Sequence, residues 1–367
     1  MTIRRINKFG YLLVFVIPIF IALFLIFKAD YLLYVIPFLI FILLPLIDPI
    51  VGTDDGNFDS HQEKLESEDK FYKYIMYAWA IVQSLVMIAI FIYFVDASPS
   101  ILQLVLLILN TMIMNGGVGI VVAHELGHKN NKLDKFFAKL LLIQVAYGHF
   151  TVEHNRGHHV HVGTELDPAT GKYNQSYYSF WYQSVVGGFK HALKLEADYL
   201  KLKKKKNTIL TNEVYNSILW TCLFYLITTL LVYILRSEST LQYVVFIIAQ
   251  AILSFSLLEA VNYIEHYAII RKISPTNNYE KINPTHSWNA NFILSNYLLF
   301  QLQRHSDHHL YSTKNYQVLK QYNESPQLPN GYPAMVILSL VPVLWKKIMN
   351  ERLNNWLNIH EGKKFID

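Results

Sequence analysis

The sequence predicts an all-α integral membrane protein, six transmembrane helices with a histidine-rich site gathered at one membrane face. Two observations carry this reading. Of 367 residues, 53% are hydrophobic and only 16% are charged, and the mean hydropathy is positive, a balance too apolar for an ordinary soluble domain. Most of the 15 histidines crowd into four short strings at the ends of apolar runs or in the polar segments between them.

A bilayer core requires roughly 20 predominantly apolar residues per helix, and six segments meet that need, near 10–29, 31–52, 73–95, 99–123, 214–235 and 241–263. The first run has a basic start, Arg4, Arg5 and Lys8, as a signal peptide would. It is read as a retained span because no small-residue cleavage site follows and the second run begins at once. The spans pair as hairpins with short tips, Lys28 to Asp30, Asp96 to Ser100 and Arg236 to Thr240. Only Lys28 and Arg236 are basic in those tips. The positive-inside rule then places both termini and the polar segments 124–213 and 264–367 in the cytoplasm.

No internal repeat, low-complexity linker or Gly/Pro-rich boundary divides the chain, so residues 1–367 read as a single membrane domain. The stretch 333–345 is too short to span and contains Pro342; it is expected to be an interfacial or core helix. The run Lys201 to Lys206, broken only by Leu202, reads as a lipid-facing topology signal, with a docking patch for an acidic electron carrier as the sharper alternative. The net charge of +5 is explained by orientation in the bilayer, and nucleic acid is set aside. A single cysteine, Cys222, excludes internal disulfides and every cysteine-based metal site. Any metal must sit on His and carboxylates.

At the end of the fourth run stands HELGHK, with His124 and His128 four residues apart and so on one helical face. Alone, this string matches the zinc-protease signature with Glu125 as general base. EHNRGHH adds His154, His158 and His159, the first two again at helical spacing. NYIEHY, closing the sixth run, adds His266 beside Glu265, and LQRHSDHH adds His305, His308 and His309. Nine histidines exceed the four or fewer protein ligands of one zinc, so two metals are expected. Imidazole and carboxylate suit iron, copper, zinc or nickel; iron is preferred because redox chemistry beside a lipid pool suggests oxygen activation on apolar substrates. Glu125, Glu153, Glu265 and Asp307 stand where they would orient imidazole N–H groups or bind metal themselves. His61, His191 and His360 are expected to be surface or satisfied residues, and His149, His161 and His286 core or supporting residues.

The strings HELGHK, EHNRGHH, NYIEHY and LQRHSDHH resemble the histidine motifs of the membrane alkane hydroxylases, a branch of the membrane fatty-acid desaturase and hydroxylase superfamily. The similarity extends through LPLIDPIVG, VAYGHF, HSWNANFILSN and YQVLKQYNESPQLPNGYPAM, and so over most of the chain. It implies a six-helix cytoplasmic-membrane enzyme with two irons on His124, His128, His154, His158, His159, His266, His305, His308 and His309, with Glu265 and Asp307 at acidic positions near them. It also implies O2 as co-substrate, electrons from NADH through rubredoxin reductase and rubredoxin, and conversion of a terminal methyl of an n-alkane to a primary alcohol. A fused rubredoxin needs four cysteines, so the carrier is expected to be external.

Two departures from the family pattern lie close to the ligands: Ala268 for a glycine and Leu310 for an alanine. Phe38, Phe41 and Phe255 are candidates for setting the depth of a tunnel that admits the chain from the bilayer. The nearest rival is a fatty-acyl desaturase or hydroxylase with the same centre. A zinc protease built on HELGH leaves seven motif histidines unused, and a metal transporter fits poorly with clusters mounted at helix ends.

Overall fold

The computed structural model describes residues 7–275 and 278–361; Arg4 and Arg5, used above for orientation, lie outside them. Among the described residues no strand forms, only isolated bridges such as Gly171 with Tyr267. Six helices are long and apolar enough to cross a membrane: Lys8–Phe27, Leu32–Val51, Ser60–Asp96, Ile101–Gly127, Glu213–Leu235 and Ser237–Glu265. All six expected runs are there. The third begins with a short polar helix, Ser60–Glu68, which Asp59 caps, ahead of the apolar helix Phe71–Asp96.

The fourth span is the hub. Of its apolar window 78% is buried, against 6% for the fifth span, which lies at the periphery. The reason is local: Met114-Asn115-Gly116-Gly117-Val118-Gly119 forms a widened, π-helical turn in which two glycines admit neighbouring helices. A Cβ at Gly116 would stand 2.5 Å from the Ser254 carbonyl of the sixth span, and one at Gly119 2.3 Å from Gln83 of the third. Small residues let helices approach closely in a membrane. Asn115 donates to Gln250 of the sixth span at 2.8 Å, and Gln83 of the third to Gln144 at 3.1 Å. The C-terminal ends of the fourth and sixth spans, where two histidine strings stand, are thereby held side by side.

The polar segments fold over those ends. Sequence reading left 124–213 undivided; it contains the helix Lys132–Gln144 and a 26-residue helix, Tyr177–Leu202. The second turns Phe180, Ser184, Gly188 and Ala192 inward, a four-residue repeat of mostly small side chains, and packs on the sixth span. The Lys201–Lys206 run lies at its end, fully exposed. The stretch 333–345 divides between Tyr332–Ser339 and Pro342–Glu361; Pro342, lacking an N–H, stands where a helix start needs none. The first of these helices packs on the sixth and second spans, and buried Trp345 meets Tyr263 ring to ring at 4.8 Å. Met335, Val336 and Trp345 join the core, while Leu340, Val341, Val343 and Leu344 are exposed, so the stretch is part core and part surface.

Candidate metal centre

All nine motif histidines converge, and they divide into two groups. His124, His128, His154, His159 and His308 form one; His158, His266, His305 and His309 form the other. Neither group contains a carboxylate. The division could not be read from spacing. His154 and His158 stand four apart, but the turn His154–His158 is π-helical, so the five-residue step from His154 to His159 shares a face and His158 points to the other group. In the short α-helix His305–Leu310 the ordinary four-residue step holds, pairing His305 with His309 and sending His308 across. The groups touch through His159 and His309, whose ring centroids are 4.5 Å apart.

Within each group the Nε2 atoms face one another. In the first, His128 meets His124 at 3.2 Å, and His159 meets His154 at 3.0 Å and His308 at 3.1 Å. In the second, His266 meets His158 at 3.1 Å and His305 at 3.0 Å, and His305 meets His309 at 2.9 Å. Burial pushes the proton affinity of His154, His159, His308 and His309 well below the usual imidazole value. Neutral imidazoles with converging lone pairs repel unless a cation lies between them. The donor set fits two metal ions.

The outward Nδ1 atoms identify the supporting residues. His158 Nδ1 lies 3.0 Å from Asp167 Oδ2, which also accepts from Thr170 Oγ1 at 2.6 Å, while Asp167 Oδ1 accepts from Ala169 N at 3.0 Å. Burial opposes charge on His158, but the Asp167 carboxylate, helped by Glu153 and Glu259, holds its proton affinity above the usual value. Donation of the Nδ1 proton to Asp167 leaves Nε2 as the ligating atom. Sequence reasoning missed Asp167, which stands in the turn Thr164-Glu165-Leu166-Asp167 with no spacing signal to mark it. Glu265 Oε1 lies 3.2 Å from His305 Nδ1 and accepts from Tyr332 OH at 2.9 Å. Glu125 Oε1 stands between two imidazoles, 3.8 Å from His124 Nδ1 and 4.0 Å from His308 Nδ1.

Two acids go elsewhere. Glu153 Oε1 is held by His191 Nδ1 at 3.2 Å, which gives that histidine its partner. Asp307, flanked by ligand histidines, turns its oxygens to Tyr322 OH at 2.6 Å, Lys314 Nζ at 2.8 Å and the Lys320 amide at 2.8 Å; it fastens the following loop. His61 and His360 are exposed. His149 and His286 are buried outside both groups, and burial lowers His149 to about 4. His161 faces His191, with ring centroids 6.0 Å apart.

The strings are held from far along the chain. Arg304, fully buried, donates to Asp54 O at 2.6 Å, Asp54 Oδ2 at 3.1 Å, Gly56 O at 3.1 Å and Leu319 O at 2.8 Å. Asp48 Oδ1 accepts from Leu294 N at 2.9 Å, capping the helix Ile293–Leu298. After His266 the chain reverses at Ala268, whose φ is +59°, a left-handed conformation natural to glycine. Gly171 clasps this turn, its N donating to His266 O at 3.1 Å and its O accepting from Ala268 N at 2.8 Å. Leu310, the other departure, ends the short helix half-buried.

A polar cleft of about 360 Å³, lined in part by Tyr72, Lys73, Lys129 and Asp134, reaches Glu125 and His128. An aliphatic groove of about 250 Å³ lies between the first two spans, with Val16, Ile40 and Leu43 among its walls and Leu294 and Leu298 of the capped helix beside them. Phe38 is 49% exposed, Phe41 packs against the core, and Phe255 stacks on Tyr147 at 4.9 Å.

A family model described as fatty acid desaturase matches residues 98–339, which include all nine motif histidines. The chain is 39% identical to alkane 1-monooxygenase 2 of Alcanivorax borkumensis over 98% of its own length and 93% of the relative's. It is 39% identical to alkane 1-monooxygenase 2 of Pseudomonas aeruginosa, over 86% of this chain and 82% of that one. With the alkane 1-monooxygenase of Acinetobacter baylyi it shares 35% identity over 86% of this chain and 76% of the relative.

Proposed function

Because the chain belongs to the fatty acid desaturase family, in its alkane hydroxylase branch, we propose that it is a di-iron alkane 1-monooxygenase. The observation that carries the proposal is the pair of abutting all-histidine groups, five nitrogens and four. Two irons held there supply the reductive activation of O2. The overall balance is RH + O2 + 2e⁻ + 2H⁺ → ROH + H2O, with the two electrons drawn from NADH through rubredoxin reductase and an external rubredoxin. His124, His128, His154, His159 and His308 hold one iron; His158, His266, His305 and His309 hold the other.

The remaining residues orient and insulate. Asp167 fixes the ring of His158 by accepting at Nδ1, and the Glu265 carboxylate stands beside His305 Nδ1 at 3.2 Å. Glu125 faces two ligands at the floor of the polar cleft, where water and protons meet the centre. Asp307 acts at one remove, tying the loop 311–322 over its helix. An alkane needs no polar recognition, and the aliphatic groove between the first two spans offers a surface of matching chemistry. Residues 1–367 act as one unit, since both polar segments contribute to each histidine group. In this reading the centre and both termini lie on the cytoplasmic side, which the distribution of basic residues supports, and the family resemblance points to the inner membrane.

The test is rubredoxin-dependent product formation by iron-loaded protein in membranes, offered n-alkanes of graded length beside fatty-acyl substrates, with His305→Ala as control. Primary alcohols that disappear in the control are expected. Unsaturated or hydroxylated acyl products would move the chain to the acyl branch, and no oxidation by reduced, iron-loaded protein would overturn the oxygenase reading.

A further inference from the structure

Two cavities behind the loop 146–149 share a wall. The outer one, about 270 Å³, opens where the helix Tyr177–Leu202 meets the fifth and sixth spans; Val185, Ile218, Cys222 and Phe255 are among its lining residues. The inner one is about 10 Å³ and touches His154 and His158, one ligand from each group. Tyr147 and His149 line both.

That wall is built to stay thin. Tyr147 donates to Glu259 Oε1 at 2.6 Å, its ring lies on Phe255 at 4.9 Å, and the His149 ring stands 4.4 Å from it. Between them Gly148 presses on the fifth span, where a Cβ would come within 2.5 Å of Ser217. Behind the wall the cavity has room for about one water-sized molecule. The inner cavity is far too small for an alkyl chain, which leaves only a small molecule as its occupant.

We propose that this pair of cavities is the access route for dioxygen, leading from the hydrocarbon core past Tyr147 and His149 to the histidine centre. The mouth combines the loop 146–149 with Val185 and Phe189 of the helix Tyr177–Leu202 and with Ile218, Cys222 and Phe255 of the fifth and sixth spans, an apolar-rich lining that suits an apolar gas, while the cleft at His128 is lined mostly by polar and charged residues. The inference rests on the oxygenase reading above, which supplies O2 as the reactant.

Cys222, the chain's one cysteine, is exposed at the mouth and provides the handle for the test. A nitroxide attached there in the full-length protein in bilayers is expected to relax faster with O2 than with a polar nickel complex, whether or not the protein oxidises alkanes. Then iron-loaded protein is chemically reduced without hydrocarbon or carrier, and its reoxidation after an O2 jump is followed optically. A bulky maleimide on Cys222 should slow that reoxidation several-fold and raise KM for O2, leaving KM for alkane unchanged. Cys222→Ser should be insensitive to the reagent, and Thr221→Trp should reproduce the block without chemistry. Unchanged reoxidation in fully labelled protein, a rise in KM for alkane instead, or a nitroxide more accessible to nickel than to O2 would each overturn the route. Loss of alkane oxidation in the unlabelled protein would count against the proposed function and leave the reoxidation and nitroxide results to decide the route.

Discussion

Replacing Asp167 with Asn tests the division of the histidines directly. The substitution keeps the size of the side chain but removes the charge that accepts the Nδ1 proton of His158 at 3.0 Å. A hydrogen bond to a charged group contributes about 1.5–3 kcal/mol, and loss of such a partner behind a metal-bound histidine typically costs about 10- to 100-fold in metal affinity, or about 1.4–2.8 kcal/mol. His158 belongs to the four-histidine group alone, so the loss should fall on one ion. Purified, iron-loaded protein titrated with a chelator should release that iron at about 10- to 100-fold lower chelator concentration, while the other is retained; iron per chain and Mössbauer spectra report both. Circular dichroism checks that the fold survives, and Asp167→Ala should exaggerate the effect. Equal loss of both irons, or a chelator profile identical to the wild type, would refute the argument.

The same division predicts that His124→Ala depletes the five-histidine group and His305→Ala the four-histidine group, each detectable as loss of a different spectroscopic iron. Arg304→Met leaves Asp54 buried without its cation, and breaking such a pair costs about 3–5 kcal/mol; thermal unfolding in detergent should show this against the milder Arg304→Lys. At Ala268 the left-handed strain of about 1–2 kcal/mol is balanced by a buried methyl of about 0.8 kcal/mol and by the greater freedom a glycine has when unfolded. Ala268→Gly should therefore change the unfolding midpoint little, whereas Ala268→Val, a β-branched residue at positive φ, should destabilise the turn behind His266 and lower iron content. Reversing the exposed Lys203 and Lys205 to Glu should leave the rate of reduction by rubredoxin and its salt dependence unchanged; a fall in both would assign the lysine run to carrier docking.

The spans were legible because hydrophobic runs of bilayer length have few other uses, and the histidine strings because nine such residues in four clusters need a shared purpose. Partition was not legible. An i,i+4 rule assumes α-helical pitch, and the π-helical turn His154–His158 makes the five-residue step the one that matters. Asp307 sits beside the right histidines in sequence, yet its oxygens go to Lys314, Lys320 and Tyr322, because neighbours on a helix do not share a face. Asp167 and Tyr332 reach the centre through tertiary packing and carry no local pattern. Ala268 was visible as a departure from the resemblance, and its backbone angle supplies the reason a glycine suits that position.

The string Arg304–His309 hangs on the loop at Asp54–Gly56 through the buried guanidinium, joining the two ends of the chain. This has a consequence for biogenesis. A nascent chain that has emerged as far as His266 already carries four of the five histidines of one group but only two of the four of the other. The first iron is thus expected to find its pocket during synthesis, while the second must wait until Arg304 has folded back onto the loop. A ribosome-stalled chain ending before residue 304 would then bind a single ion, and the order of metal arrival would be written into the order of translation.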